Sequence, residues 1–474
     1  MAYSTLYQFV SVLLPLITIP YVSRVLGPGG IGINAVTNAN MSYFMLLANL
    51  GIQIYGNREI AYVQQHPEEK SRLFFELTFL KFFAGSVSLL LYAIFVAVQP
   101  HWQLFYILQG INLLAVMCDF SWYFMGIEDF RVITWRNTFV KLLALVATFA
   151  FVRNSYDLWI YILILGLSTL LGNLSVLPFL RRDLQSVSWR QLSVSRHLKP
   201  ALLLFLPQLV IQVYLSLNRT MLGQMDSVQS AGYFNQSDML IRTAYVLVSS
   251  FSMAVLPRLS SLVASQKMEE VKSLTLRSFE IGNALSFLAI AGIIGISTGF
   301  APFFFGQKFT IVGSLMMGEA LVILFITWGS IFGVQFLLAT KRMNAFALSA
   351  VVGLVVNVAV NFALIPVLGA MGAVIATVLT EMSVSFYQLW RLRDVFSLQE
   401  IFSGSWKYFL SGLLAAIVTY LLNHIMSAGL LSFVLQAVAA TLLYLACLFI
   451  LRAAAIDLVR PVLAQLLGRW RKGA

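Results

Sequence analysis

Apolar residues run along this chain in blocks of roughly twenty, set apart by short polar or Pro/Gly-rich stretches. A helix crossing a bilayer needs about 20 apolar residues. Blocks near that length fall at 3–23, 34–57, 74–98, 102–124, 132–152, 156–180, 200–218, 231–256, 274–300, 311–339, 343–366, 370–391, 404–424 and 429–451. The pattern predicts an all-α polytopic membrane protein with fourteen transmembrane helices and short loops.

Composition sharpens this. The 474 residues are 59% hydrophobic and 11% charged, whereas soluble domains carry about 25% charged residues. That excludes a soluble enzyme, a disordered chain and a nucleic-acid-binding domain. The two cysteines, Cys118 and Cys447, sit in apolar stretches and suggest no disulfide, metal or redox chemistry. The first apolar block has no basic segment before it, so it reads as a retained helix, not a cleaved signal.

The net charge of +12 orients the chain. With the N-terminus inside, the cytoplasmic loops and tail hold 24 Lys and Arg residues against four, Arg24, Arg153, Arg219 and Lys308, at the outer side. Cytoplasmic loops collect Lys and Arg, so both termini are expected in the cytoplasm. The most basic connector, 181–199, reads as a linker between two six-helix halves, 1–180 and 200–395. The last two helices, 404–452, and a basic tail, 453–474, follow.

Weak internal similarity supports two parallel repeats. SRVLGPGGIG (23–32) and NRTMLGQMDSVQSAG (218–232) each place an Arg, then Leu-Gly, then a Gly opening the next helix. The following helices open with FFE (74–76) and SFE (278–280). Three basic residues, Lys81, Lys141 and Arg242, fall inside spans, with the acids Asp119, Asp238, Glu319 and Glu381 in or near them. Asp238 and Arg242 are four apart and share a helix face. A mid-span charge costs roughly 2.5–3.5 kcal/mol on insertion scales, so it usually faces a cavity or a partner.

Five stretches, PYVSRVLGPGGIG (20–32), YGNREIA (55–61), WYFMGIEDFRVITWRNTFVKL (122–142), VLPRLSSL (255–262) and NVAVNFALIPVLGAMGAVIATVLTE (357–381), are most informative about kinship. With them the chain resembles the polysaccharide repeat-unit flippases (Wzx-type, the polysaccharide transporter family) of the multidrug/oligosaccharidyl-lipid/polysaccharide (MOP) exporter superfamily. The third and fifth stretches are the most specific, and the similarity covers nearly the whole chain. The resemblance implies two pseudo-symmetric six-helix lobes, MATE-like, plus two C-terminal helices. It implies a flippase, not an enzyme, moving an undecaprenyl-type diphosphate oligosaccharide, or an anionic glycan such as teichoic acid, across a bacterial plasma membrane. The alternatives are a cation-coupled multidrug antiporter and a lipid-linked peptidoglycan precursor flippase. No cofactor or metal is expected beyond a Na⁺ or H⁺ coupling ion. Expected partners are the bilayer, the lipid-linked glycan, and glycosyltransferases or a polymerase of the same pathway, with the chain itself a monomer.

An anionic headgroup calls for cations on a polar cavity wall. Candidates are Arg24, Arg219, Lys141, Lys81, and the Arg242/Asp238 pair. Snorkelling to the interface is the competing role for Arg24, Arg219 and Lys81; a structural bridge is that for the pair. Arg58, Glu128, Asp129, Arg136 and Arg258 are candidates for an inner gate, or else solvated positive-inside loops. Asn357 and Asn361 share a face beside small residues and read as packing first.

Overall fold

The computed structural model describes residues 2–188, 190 and 192–458, with side chains described for these apart from 2–13, 130–133, 135, 207 and 252–254. Most of the expected basic tail therefore lies outside the described residues. Among the described residues all regular structure is helical. In chain order the helices are α1 (Ala2–Asn49), α2 (Ile52–Val63), α3 (Pro67–Ala97), α4 (Gln103–Met117), α5 (Ser121–Gly126), α6 (Phe130–Phe151), α7 (Leu158–Leu174), α8 (Leu177–Asp183) and α9 (Leu198–Met225). There follow α10 (Val228–Ala264), α11 (Met268–Phe305), α12 (Thr310–Glu319), α13 (Val322–Gly329) leading into a π-helical stretch Ser330–Leu338, α14 (Met343–Leu368), α15 (Ala370–Arg391), α16 (Leu398–Phe402), α17 (Ser405–Ile425) and α18 (Leu430–Ile450).

Nine of these segments are long and apolar enough to cross a membrane, or twelve if three bent pairs each count as one span. The pairs bend by 46° between Leu206 and Gln208, 45° between Phe251 and Val255, and 44° between Glu319 and Val322.

One candidate, Leu14–Val63, is 50 residues long. As one straight helix it would reach about 75 Å, more than twice the ~30 Å hydrocarbon core. It is broken at Gly27, with φ 68° and ψ 177°. That region of backbone space is essentially open to glycine alone, and Pro28 next to it offers no N–H to continue the ladder. The chain divides there into two helices, between the expected 3–23 and 34–57 blocks, and the second block is itself interrupted between α1 and α2, where Gly51 has φ 73°.

The chain forms two compact units, Met1–Gly232 and Tyr233–Ala474. The first takes in the 181–199 connector and α9. A core of this unit lies under α2, α3 and α5, where Phe74 stacks on Trp122 at 5.5 Å between ring centroids. Gly56 lets Trp122 in: a Cβ there would stand 2.6 Å from the indole. In the second unit Phe279, Trp328, Phe332 and Phe336 join α11, α13 and the π-helical stretch. Here α14 and α15 pack closely because Gly353 meets Val384 and Gly372 meets the Leu364 backbone, the small-residue contact expected for this stretch. Large apolar side chains such as Phe83, Leu90, Phe362 and Leu442 remain on the outside, suited to lipid tails.

The start of α10 crosses α1 just past its break with no side chain between them. A Cβ on Gly32 would fall 1.7 Å from the Val228 carbonyl oxygen, and one on Gly232 would fall 2.4 Å from that of Pro28. The two glycines that the internal repeat pairs therefore pack on each other's helices. Gly32→Ala is expected to force the backbones apart and lower stability by roughly 1–3 kcal/mol. Gly29→Ala, which meets nothing within 4 Å, should be tolerated. Thermal unfolding of the detergent-solubilised variants checks both.

Candidate functional site

Inside a bilayer a polar side chain needs a protein partner, since an unpaired one costs several kcal/mol. In the first unit this requirement builds a continuous polar strip. The second half of α1 carries Asn34, Thr37, Asn40, Ser42 and Tyr43 toward α4 and α9. The Gln109 amide donates to Asn34 at 3.1 Å and to Thr37 at 3.3 Å, and its carbonyl accepts from Asn112 at 2.9 Å. Asn40 donates to the Tyr106 hydroxyl and accepts from Thr220, both at 2.8 Å. Ser42 and Ser216 share a bond of 2.9 Å, and Gln212 donates to Ser216 at 3.2 Å. The apolar pattern does not single out these residues; the signal it does hold is amides and hydroxyls recurring at three- and four-residue spacing inside apolar blocks.

Arg219 stands beside this strip. It is half-buried, donates from Nη1 to the Leu215 carbonyl at 3.2 Å, and interacts electrostatically with Tyr43. Arg24 is exposed on α1, three residues before the break at Gly27. The repeat reading places both arginines just before a Leu-Gly helix end, and that holds for Arg24 only. Leu222 and Gly223 lie inside α9, which runs on to Met225. Gly223 instead admits Val36, whose Cγ2 would lie 2.5 Å from a Cβ.

Lys81 takes neither expected role. It is 0% exposed, and its ammonium donates to the Asp119 backbone carbonyl at 2.5 Å. The Asp119 carboxylate accepts from the Ser121 N–H at 2.9 Å. Lys81 thus pins the break between α4 and α5, which interrupts the expected 102–124 helix. A buried cation finds its partner there in a freed carbonyl, not in solvent. Lys141 is half-buried on α6.

The proposed gate residues lie mostly on the surface. Arg58 is exposed and pairs with its neighbour Glu59 at 2.8 Å. Glu128, at a left-handed φ of 60°, Asp129 and Arg258 are exposed. Arg136 is half-buried and reaches Ser121 Oγ at 3.3 Å and Asn137 Oδ1 at 2.7 Å.

In the second unit Arg242 donates from Nε to Asp238 Oδ1 at 2.7 Å, so the four-residue spacing makes the pair it predicts. Asn357 bonds to Thr380 at 3.1 Å and Asn361 to Asn357 at 3.0 Å, which ties α14 to α15.

The repeat motif FFE/SFE has a structural role that spacing does not reveal. Glu76 is fully buried and accepts from the Ser193 N–H at 2.6 Å, Arg196 at 2.6 Å, His197 at 2.8 Å and Arg72 at 3.1 Å. His197 is held on its other nitrogen by the Tyr55 hydroxyl at 2.8 Å. Lys70, Tyr123 and Asp183 form a second tie at the start of the connector. The matching Glu280 accepts from Tyr408 at the start of α17. Each glutamate therefore fastens the segment by which the chain leaves one set of helices for the next.

Glu76→Gln should loosen the connector at a cost of about 1–3 kcal/mol, toward the low end because Arg72 and Arg196 are 40% and 50% exposed and screened by water. Faster tryptic cleavage at Arg190 and Arg196 is the expected readout. Glu280→Gln should leave that rate unchanged.

These features, membrane-length helices enclosing paired polar side chains, are those of a multi-pass helical membrane protein. The fold is similar to that of solved MOP-superfamily structures. The lipid II flippase MurJ in its inward closed conformation superposes with a TM-score of 0.77, at 15% identity over 97% of this chain and 99% of that one. An inward-facing multidrug resistance MATE family transporter gives 0.62, at 14% identity over 81% and 96%. Residues 1–263 match the family described as polysaccharide biosynthesis protein, more than half the chain, and the protein belongs to that family. Relatives named "Putative O-antigen transporter" occur in Escherichia coli (strain K12), 24% identical over 83% of this chain and 95% of the relative, and in Shigella dysenteriae, 22% identical over 80% and 95%.

Proposed function

We propose that the protein is a flippase that carries a lipid-linked oligosaccharide from the inner to the outer leaflet of a bacterial plasma membrane by alternating access. Family membership over residues 1–263 carries this reading, and the relatives' names point to glycan export. The strip around Asn40 and Gln109 supports it, because amides and hydroxyls suit a hydroxylated headgroup in a way that a purely apolar lobe does not. Arg219 beside the strip offers the planar fork that suits a phosphate linkage. A teichoic-acid-like glycan on the same kind of lipid presents the same anionic chemistry and belongs to the same cargo class.

In this reading the chain crosses the membrane fourteen times, with both termini and the 181–199 connector in the cytoplasm. The reading counts the chain on either side of Gly27 as two crossings and the 22-residue α6 as one more. The protein works as a monomer beside the glycosyltransferases and polymerase that make and use its cargo. An anionic headgroup moving outward is favoured by an inside-negative potential, by about 2.3 kcal/mol per charge per 100 mV.

Two measurements test the proposal. Reporter fusions after residue 190 and at the C-terminus should both report the cytoplasm; an outside signal at either breaks the topology. The second is complementation of glycan export in a flippase-null cell, normalised to protein in the membrane. Arg219→Ala should reduce export about tenfold or more, the scale of one lost charge-assisted contact. Arg219→Lys should retain part of it, because Lys keeps the charge but loses the fork. The same series at Arg24 separates a headgroup contact from snorkelling, for which Lys and Arg are interchangeable. Full export by the Arg24→Ala, Arg219→Ala double variant at normal abundance would remove both from the site.

A further inference from the structure

An aromatic ring at the end of α15 carries two guanidiniums. Arg391 closes the helix, and Arg393 follows two residues later. The Arg391 guanidinium carbon lies over the Trp390 indole at 5.7 Å from its centroid, and that of Arg393 at 5.3 Å. Tyr387 packs its ring against the same indole at 5.7 Å. A guanidinium over an aromatic face is held there by the ring's quadrupole, and its planar fork of N–H donors stays free for an acceptor at the rim. Two guanidiniums on one indole also hold two like charges close together, a repulsion that a bound anion relieves.

The protein itself does not neutralise this charge. Residues 341–346 and 386–397, which bring together the start of α14 and the end of α15, hold four basic residues and one acid, Asp394. Arg342 takes both oxygens of that carboxylate, at 3.1 and 2.8 Å, and Arg391 adds only a longer-range attraction. Arg391 and Arg393 are exposed, and neither forms an ion pair among the described residues. The adjoining surface is apolar. Phe386, one turn before Trp390 on α15, is 45% exposed, Trp390 51% and Leu398 64%. Positions four apart share a helix face, so the indole ends an apolar stripe on the outside of this unit. Tryptophan at a membrane–water interface sits at the level of the lipid headgroups.

We propose that Trp390, Arg391 and Arg393 form a binding site for an anionic phospholipid of the cytoplasmic leaflet, with its phosphodiester on the two guanidiniums and an acyl chain along Phe386. A zwitterionic lipid fits less well. The acid at this end is already engaged, and the indole that could hold an ammonium is already covered by guanidiniums. The competing role for Arg391 is to complement the dipole at a helix C-terminus, which needs no lipid. The choice of leaflet rests on the topology proposed above; the site itself does not, nor does it depend on what the protein transports.

The test is native mass spectrometry of the full-length protein in detergent, with phosphatidylglycerol and phosphatidylcholine of identical acyl chains as probes. The wild type should retain phosphatidylglycerol in preference. The Arg391→Gln, Arg393→Gln double variant should lose that preference, by about fivefold for each arginine. Arg393→Gln alone lies beyond the helix end and should show its share of the loss with the dipole role untouched. Arg391→Lys, Arg393→Lys keeps both charges without the fork and should fall in between. Arg181→Gln, Arg182→Gln removes two exposed arginines from the last turn of α8 and should bind as the wild type does. Thermal unfolding in phosphatidylcholine nanodiscs checks that each variant is folded; phosphatidylglycerol nanodiscs should raise the midpoint of the wild type more than that of the double Gln variant. Equal preference in the wild type and the double Gln variant overturns the site. An equal loss in the α8 variant, or wild-type binding by the double Lys variant, reduces it to net charge and overturns it too. Displacement of phosphatidylglycerol by millimolar inorganic phosphate would mark a site for a free anion and overturn the lipid assignment.

Discussion

Every polar group placed in the hydrocarbon of a membrane has to be paired within the protein, and the interior of this chain is arranged by that constraint. Water is not there to accept a stray amide or to solvate a stray charge. The strip of Asn40, Gln109 and Thr220 is closed by its own hydrogen bonds. The Asn357–Thr380 and Gln388–Ser349 contacts do the same between α14 and α15 and nearby turns. Among the described residues a few buried atoms, such as Trp122 Nε1, Ser297 Oγ and Glu319 Oε1, have no hydrogen-bond partner, and Glu319 is the carboxyl among them.

Breaks in the helices are the second organising feature, and they coincide with the chemistry. Breaking a membrane helix frees carbonyls that must be satisfied. At the α4–α5 break a buried lysine supplies the donor. At the end of α12 a buried glutamate meets α10. At Gly27 the chain uses a backbone conformation closed to other residues, and the glycines just beyond it bring two helix backbones into contact. Lys81, which reads as an isolated mid-span charge, reaches a helix end in space, and Glu319 is itself the last residue of α12.

The internal repeat has a mechanical counterpart. Glu76 holds the connector before α9 and Glu280 holds the start of α17. A glutamate in the first turns of α3 and of α11 fastens what comes next. The basic residues of the connector, counted as a topological signal, are partly engaged in this fastening: Arg196 lies on Glu76 at 2.6 Å. A flexible tether would leave α3 and α9 independent, whereas four donors on one buried carboxylate do not.

The sequence by itself determined the class. Blocks of twenty apolar residues, few charges and Lys/Arg alternation state that the chain is a helical, multi-pass membrane protein, because helix length is set by bilayer thickness and not by neighbours. Local spacing also sufficed for the Asp238–Arg242 pair, since residues four apart on a helix must meet. The rest required tertiary structure. Lys81 looks like a cavity or snorkelling cation in one dimension, and only the return of α4 beside α3 shows its carbonyl partner. The Leu-Gly at 222–223 looks like a helix end, yet continues as helix because its glycine is used for the approach of Val36. Glu319 and Ser237, which are hydrogen-bonded, are 82 residues apart, and no periodicity links them. Spacing along a chain reports what one helix does; partners on different helices are decided by packing, and in a membrane that packing determines which polar groups are silent and which are left available for function.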